Sequence, residues 1–99
     1  MYGTVARMKV KPGELDELIK LTATSVNTRR PNGYLGEIMY KMDNNPNEVI
    51  MAVFFADKES YHANANDPEM NKEYEKYRAL LDADPEWNDG EVIHQFWAR

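Results

Sequence analysis

Two histidines are the side chains of this sequence best suited to take up a proton near neutral pH. His94 lies in an alternating segment over residues 91–97, and this alternation predicts a strand. Its imidazole could act as a general base, or it could be a satisfied or interfacial histidine with no chemical role. His62 follows Tyr61 in a short predicted helix, and we expect its ring to point to solvent.

Several tyrosines could supply hydroxyl groups to a ligand cavity. Tyr74 and Tyr77 lie on a helical stripe that must face the sheet, and Tyr40 lies in a predicted strand. Together with several methionines, these rings suit the polarisable wall of a site for a flat aromatic molecule. The same residues suit an ordinary packed core equally well. Trp87 follows an Asp-Pro-Glu turn, where its indole could cover the cavity or only attach the loop to the core.

The composition excludes several classes of function. The net charge is −5 and Arg29-Arg30 is the only adjacent basic pair, which argues against nucleic acid and anionic membranes as partners because both need clustered basic residues. The chain has no cysteine, so thiol nucleophiles, disulfides and metal–thiolate sites are excluded. Neither a signal-peptide pattern nor an apolar run of the ~20 residues that cross a membrane is found. We therefore expect a soluble, cytoplasmic protein without a metal site.

The sequence predicts one domain over residues 1–99, since no linker or repeat interrupts the chain.

In the second strand, Tyr34, Ile38 and Tyr40 are predicted to share one face, opposite Glu37. Alternation and helical spacing together predict strands over 2–10, 34–42, 49–55 and 91–97 and helices over 15–30, 57–66 and 68–81. This order, with the two helices after the third strand taken as one crossover, predicts a ferredoxin-like α+β fold of βαββαβ type with an antiparallel sheet.

Three stretches resemble the antibiotic-biosynthesis-monooxygenase family. They are the opening strand with its end at Val10-Lys11-Pro12-Gly13, the second strand with Tyr34, and residues 54–61. The resemblance extends over nearly the whole chain. It implies a dimeric α/β barrel, in which the sheet of one subunit packs face to face on its partner's sheet and each subunit holds its own pocket between sheet and helices. Relatives in this group include cofactor-free oxygenases of phenolic polyketides and haem-degrading enzymes.

Haem degradation is not expected from this resemblance. Ala6, Asn64 and Tyr74 stand where the haem-degrading branch has its working residues. Asn64 also occupies a pocket position of the family, where its amide could orient a ligand or merely cap the end of its helix.

The leading hypothesis is a cofactor-independent monooxygenase that acts on a small phenolic, quinol or polyketide-like aromatic compound and uses no metal or organic cofactor. In this hypothesis His94 is the base, and Asn64 and Tyr74 are orienting donors. One alternative is a non-catalytic homodimer that binds a small ligand or acts as an accessory protein. Another is a purely structural interaction module without a cavity. The predicted ligand contacts are Tyr40, Tyr61, Tyr77 and Trp87.

Overall fold

The structure, a computed structural model, describes residues 1–99. Four strands form one antiparallel sheet in the order β2-β3-β1-β4, and three helices cover one of its faces. The elements are β1 (Tyr2–Lys9), α1 (Leu15–Thr28), β2 (Tyr34–Lys41), β3 (Glu48–Phe55), α2 (Lys58–Ala65), α3 (Pro68–Arg78) and β4 (Glu86–Glu91). This is the predicted ferredoxin-like α+β fold, with a sheet that does not close on itself. None of the helices is long and apolar enough to cross a membrane.

Local capping signals fix the positions of the two helices that follow β3. The Asp57 carboxylate accepts a hydrogen bond from the Ser60 backbone N–H at 2.7 Å and begins α2. Asp67 accepts one from the Glu69 N–H at 2.9 Å, with Pro68 at the first position of α3. Each cap satisfies a backbone donor that the first helical turn leaves free. The capping residues therefore define the first residues of α2 and α3 by local contacts.

The core is small and lies at one end of the sheet. Ten of the 99 residues are buried, so little apolar surface is removed from water for a chain of this length. The side chains of the core cluster pack between α1, the sheet and the segment after α3. They are Met8, Val10, Leu18, Val49 and Leu81. The rest of the space between helices and sheet is available for a cavity.

A β-bulge in β2 changes which side chains face the helices. Tyr34 pairs with Phe55 and Gly36 pairs with Phe54, so one additional residue lies in β2 at this point. In regular alternation each side chain points to the opposite face from the one before. One additional residue shifts this alternation, so every later side chain of the strand points to the face opposite the expected one. The prediction that Tyr34 and Tyr40 share a face is therefore wrong, since Tyr40 points away from the helices and Glu37 points toward them.

The last strand is not where the alternation predicted it. β4 comprises Glu86–Glu91 and pairs with β1, and residues 92–99 lie outside the strands. The Asn88 side chain explains part of this pairing, because its amide donates to the Val5 carbonyl at 3.0 Å. The prediction of a strand over 91–97 is therefore wrong, since only Glu91 of that range lies in β4. Pairing with a distant strand outweighed the weak local preference of these residues.

The sheet face away from the helices, called the open face below, carries exposed apolar side chains. Val5 and Tyr40 are 49% and 58% exposed there. The segment 92–99 adds Ile93, Phe96 and Trp97, all of which are exposed. Large apolar side chains exposed on one face are typical of interaction sites in small proteins.

Candidate functional site

A cavity of about 540 Å³ lies between the helices and the sheet. Sites for small organic molecules typically have about 300–1,000 Å³. Its wall contains side chains from all four strands and all three helices. The apolar part of the wall includes Met8, Met51, Val53, Phe55 and Met70. The polar part comprises a few hydroxyl, carboxylate, amide and guanidinium groups, and their pairing determines what the cavity can bind.

The first polar pair joins Tyr34 and Glu37 on β2. The Tyr34 hydroxyl donates to Glu37 Oε1 at 2.7 Å, and both residues line the cavity. The pKa of Tyr34 is raised well above its ordinary value. Burial of the ring is the larger cause, and the hydrogen bond to the Glu37 carboxylate is the next. The hydroxyl therefore stays protonated and its hydrogen stays directed at Glu37.

The second pair joins Tyr61 on α2 and Asp89 on β4. The Tyr61 hydroxyl donates to Asp89 Oδ1 at 2.7 Å. Burial and then the hydrogen bond to Asp89 raise the pKa of Tyr61 to about 12. Because β4 pairs with β1, Thr4 lies directly opposite Asp89 in the sheet. Asp89 thus reaches the cavity because it lies within β4 (Glu86–Glu91) and pairs with β1.

An arginine at the end of α1 holds the amide of Asn64 in place. Arg29 Nη1 donates to Asn64 Oδ1 at 3.2 Å, and Nη2 donates to Asp67 Oδ2 at 2.6 Å. The hydrogen bond from the Glu69 backbone and then the one from Arg29 lower the pKa of Asp67. Since the amide oxygen of Asn64 is engaged by Arg29, its amide nitrogen is the atom available to donate to a ligand.

Aromatic rings line two parts of the cavity. Tyr74 and Trp87 lie 6.2 Å apart between ring centroids. In the other part, Tyr61 contacts Phe55 edge-on at 5.6 Å and His62 at 5.3 Å. Such tilted and edge-on pairs are favourable arrangements of aromatic rings. They leave ring faces and edges on the wall that could contact a flat ligand.

The structure brings most of the predicted site residues together. Asn64, Tyr61, Tyr74, Tyr77 and Trp87 all line the cavity. Their roles in catalysis or binding stay predictions.

Two predicted residues lie elsewhere, and one unexpected residue is present. His94 lies on the segment after β4, beside residues of β2 and β3 such as Ile38 and Phe54, and outside the cavity. The Tyr40 side chain lies on the open face because of the bulge in β2. His62, expected to point to solvent, lines the cavity instead.

Three charged cavity residues were not predicted from the sequence, namely Glu37, Asp89 and Arg29. Gly36 was a usable signal for Glu37, because an isolated glycine inside a strand pattern often marks a bulge. Asp89 had no such signal, since its position depends on the pairing of β4 with β1. No group of three or more histidine, aspartate or glutamate side chains is placed to hold a metal ion.

Comparison with known proteins identifies the family. A model of the antibiotic biosynthesis monooxygenase family matches residues 1–76. The chain belongs to this family. None of the curated proteins compared with the chain matches it in sequence.

Several solved structures share the fold. A conserved protein from Methanosarcina mazei Go1 is 21% identical, with a TM-score of 0.76 over 90% of this chain and 89% of that one. A mutant of SnoaB, a cofactor-independent oxygenase from Streptomyces nogalater, is 15% identical, with a TM-score of 0.80 over 95% of this chain and 94% of that one. A further antibiotic biosynthesis monooxygenase is 15% identical, with a TM-score of 0.74 over 95% and 100%. At these identities the similarity shows the fold alone.

Proposed function

We propose that this protein is a cofactor-independent monooxygenase acting on a small phenolic, quinol or polyketide-like aromatic compound. The observation that carries the proposal is the cavity of about 540 Å³, which combines an apolar, methionine- and tyrosine-rich wall with a few paired polar groups. Membership of the antibiotic biosynthesis monooxygenase family supports it. The similarity in fold to SnoaB, described as a cofactor-independent oxygenase, agrees with it.

The proposed reaction balances without an external reductant. With a hydroxylated anthrone as the example of this substrate class, the ring methylene carbon loses two hydrogens and gains one oxygen atom of dioxygen as a carbonyl group. The second oxygen atom leaves as water. The substrate supplies all four electrons, and it becomes able to do so when a base removes a proton and makes the ring electron-rich. The protein must therefore bind the ring, orient it, remove a proton and exclude bulk water.

The cavity residues divide these tasks. The Asn64 amide nitrogen and the Tyr74 hydroxyl are the proposed orienting donors, and Tyr61, Tyr77 and Trp87 contact the ring. His94 was the base predicted from the sequence, but it lies outside the cavity. We assign the base to His62, because its imidazole lies on the wall beside Tyr61.

The proposal is tested by oxygen uptake with a hydroxylated anthrone such as dithranol, corrected for spontaneous oxidation. We expect the wild-type protein to accelerate uptake, and we expect Asn64→Ala to lower kcat/KM about tenfold because a ligand donor is lost. Asn66→Ala is the matched control, since Asn66 lies at the end of the same helix and does not line the cavity. Aromatic binding without accelerated uptake would support the non-catalytic ligand-binding or accessory dimer instead.

We also propose a homodimer in which the open face packs on the open face of a second copy, as in a dimeric α/β barrel. The exposed Val5 and Tyr40 side chains on that face support it. Sedimentation at micromolar concentration should give about twice the chain mass of 11.5 kDa. Tyr40→Glu should shift the protein toward monomer. Ile19→Glu should not, since Ile19 lies on α1, away from the open face, and is already 51% exposed. A wild-type monomer in this experiment would contradict the dimer.

The proposed domain extends from residue 1 to residue 99, beyond the part that the family model matches. The support is that β4 completes the edge of the sheet on β1 and contributes Trp87 and Asp89 to the cavity. A cytoplasmic location remains a prediction of the cysteine-free composition.

A further inference from the structure

The charged side chains on the cavity wall are predominantly acidic. Glu37 on β2, Glu73 on α3 and Asp89 on β4 face the cavity, against Arg29 at the end of α1. Three carboxylates against one guanidinium give the wall a formal net charge of −2, with His62 left out of the count.

The one guanidinium on the wall is already neutralised. Arg29 forms an ion pair with Asp67 at 2.6 Å and donates to the Asn64 oxygen at 3.2 Å. An anionic ligand that recruited Arg29 would have to compete with Asp67, which lies on the adjoining helix cap. Glu73 likewise has partners, since Lys76 and the Ser25 hydroxyl contact its carboxylate at 3.0 Å and 2.9 Å. Glu37 and Asp89 have no cationic partner among the ion pairs of the structure.

The two tyrosine–carboxylate pairs present hydrogen-bond acceptors to the cavity. The hydroxyl hydrogens of Tyr34 and Tyr61 are directed at Glu37 and Asp89, each at 2.7 Å. The phenolic oxygens and the second carboxylate oxygens still have lone pairs to offer. A ligand that carries hydroxyl donors can satisfy these acceptors, whereas a carboxylate ligand brings only further acceptors and a like charge.

We infer that the cavity selects neutral aromatic compounds with hydroxyl donors and rejects aromatic carboxylates, with Glu37 and Asp89 as the specificity-determining residues. This inference rests on the proposed function, because it names the charge class of the aromatic substrate. It also agrees with the proposed chemistry. A neutral substrate can transfer its proton to His62 without changing the total charge of the cavity, whereas an anionic substrate would add a charge to an acidic wall.

The test compares two ligands that share a ring system and differ in charge. At pH 7, 2-naphthol is neutral and carries a donor, whereas 2-naphthoate is an anion without one. Calorimetry on the full chain should show that the wild-type protein binds 2-naphthol at least about tenfold more tightly. The double variant Glu37→Gln/Asp89→Asn keeps acceptors for both tyrosine hydroxyls but removes both charges. In that variant the affinity for 2-naphthoate should rise about tenfold. Glu59→Gln, an exposed charge in the first turn of α2 and outside the cavity, is the matched control and should leave the ratio unchanged.

The outcomes separate this inference from the proposed function. Equal wild-type affinities, tighter binding of the carboxylate, or a ratio unchanged in the double variant would overturn the inference, while oxygen uptake with the anthrone would still support the monooxygenase. A double variant that has lost its folded circular dichroism is replaced by the two single variants, each of which should show part of the change. Absence of binding by either ligand, together with absence of oxygen uptake, would remove the proposed function and this inference with it.

Discussion

The His62→Gln variant is expected to lose about 10²- to 10⁴-fold in the rate of oxygen uptake, which is the contribution of a positioned general base. Glutamine has a similar size and still forms hydrogen bonds, but it cannot take up a proton. The loss should appear in kcat, because the imidazole acts on the bound substrate and does little to hold it. The measurement is the initial rate of uptake against anthrone concentration, together with the affinity for 2-naphthol, which should stay close to that of the wild type.

The His94→Gln variant decides between the two histidines. His94 lies beside Ile38 and Phe54, outside the cavity, so its replacement should affect the rate far less than replacement of His62. A large loss confined to His94→Gln would assign the base to the residue predicted from the sequence alone and would contradict the assignment of His62. Equal, small losses in both variants would mean that neither imidazole is the base.

The helices of this fold were predictable because their signals are local. Asp57 and the Asp67-Pro68 pair are capping residues within a few positions of the backbone groups that they satisfy. The stripe that contains Tyr74 and Tyr77 follows from helical spacing, and both residues line the cavity as a consequence. Because these signals involve only neighbouring residues, the predicted starts of α2 and α3 agree with the structure.

The strand errors arose where the deciding contact is distant in sequence. The residues of β4 have a low strand propensity, because Asn88, Asp89 and Gly90 lie in its middle. The strand forms because it pairs with the edge of β1. The alternation of residues 91–97 was the stronger local pattern, yet only Glu91, the first residue of that segment, pairs with another strand. Local preference thus identified the wrong segment, because strand formation depends on the partner as much as on the residues.

The site residues on helices were easier to predict than those on strands. Asn64 and Tyr74 lie on helices and were placed correctly at the cavity, whereas Tyr40 and His94 were predicted from strands and were not. A single bulge in β2 exchanged Tyr40 for Glu37 at the cavity wall. The exchange replaced a phenol by a carboxylate, and this changes the expected chemistry of the wall from neutral to acidic. The face of one strand therefore determined the ligand class that the cavity is inferred to select.

The close approach of β1 and β3 makes a second large effect predictable, this time on stability. Gly3 lies in β1, and a Cβ atom added there would overlap the backbone carbonyl oxygen of Val53 in the neighbouring strand. This carbonyl belongs to the sheet and cannot rotate away as a flexible side chain could. We expect Gly3→Ala to lower the free energy of unfolding by about 3 kcal/mol, the upper part of the usual range for overpacking. Urea denaturation at fixed protein concentration measures the change.

Gly90 provides a matched control for this substitution. It lies directly opposite Gly3 in the pairing of β1 with β4, and a Cβ added to it would meet no atom within 4 Å. Replacement of glycine by alanine lowers the conformational entropy of the unfolded chain by a similar amount at both positions. This effect alone stabilises the folded protein by about 0.4–1 kcal/mol. The difference between the two variants therefore isolates the collision with Val53. Gly90→Ala should be neutral or slightly stabilising, and equal stability of the two variants would show that β1 and β3 are not held at the distance that this pairing requires.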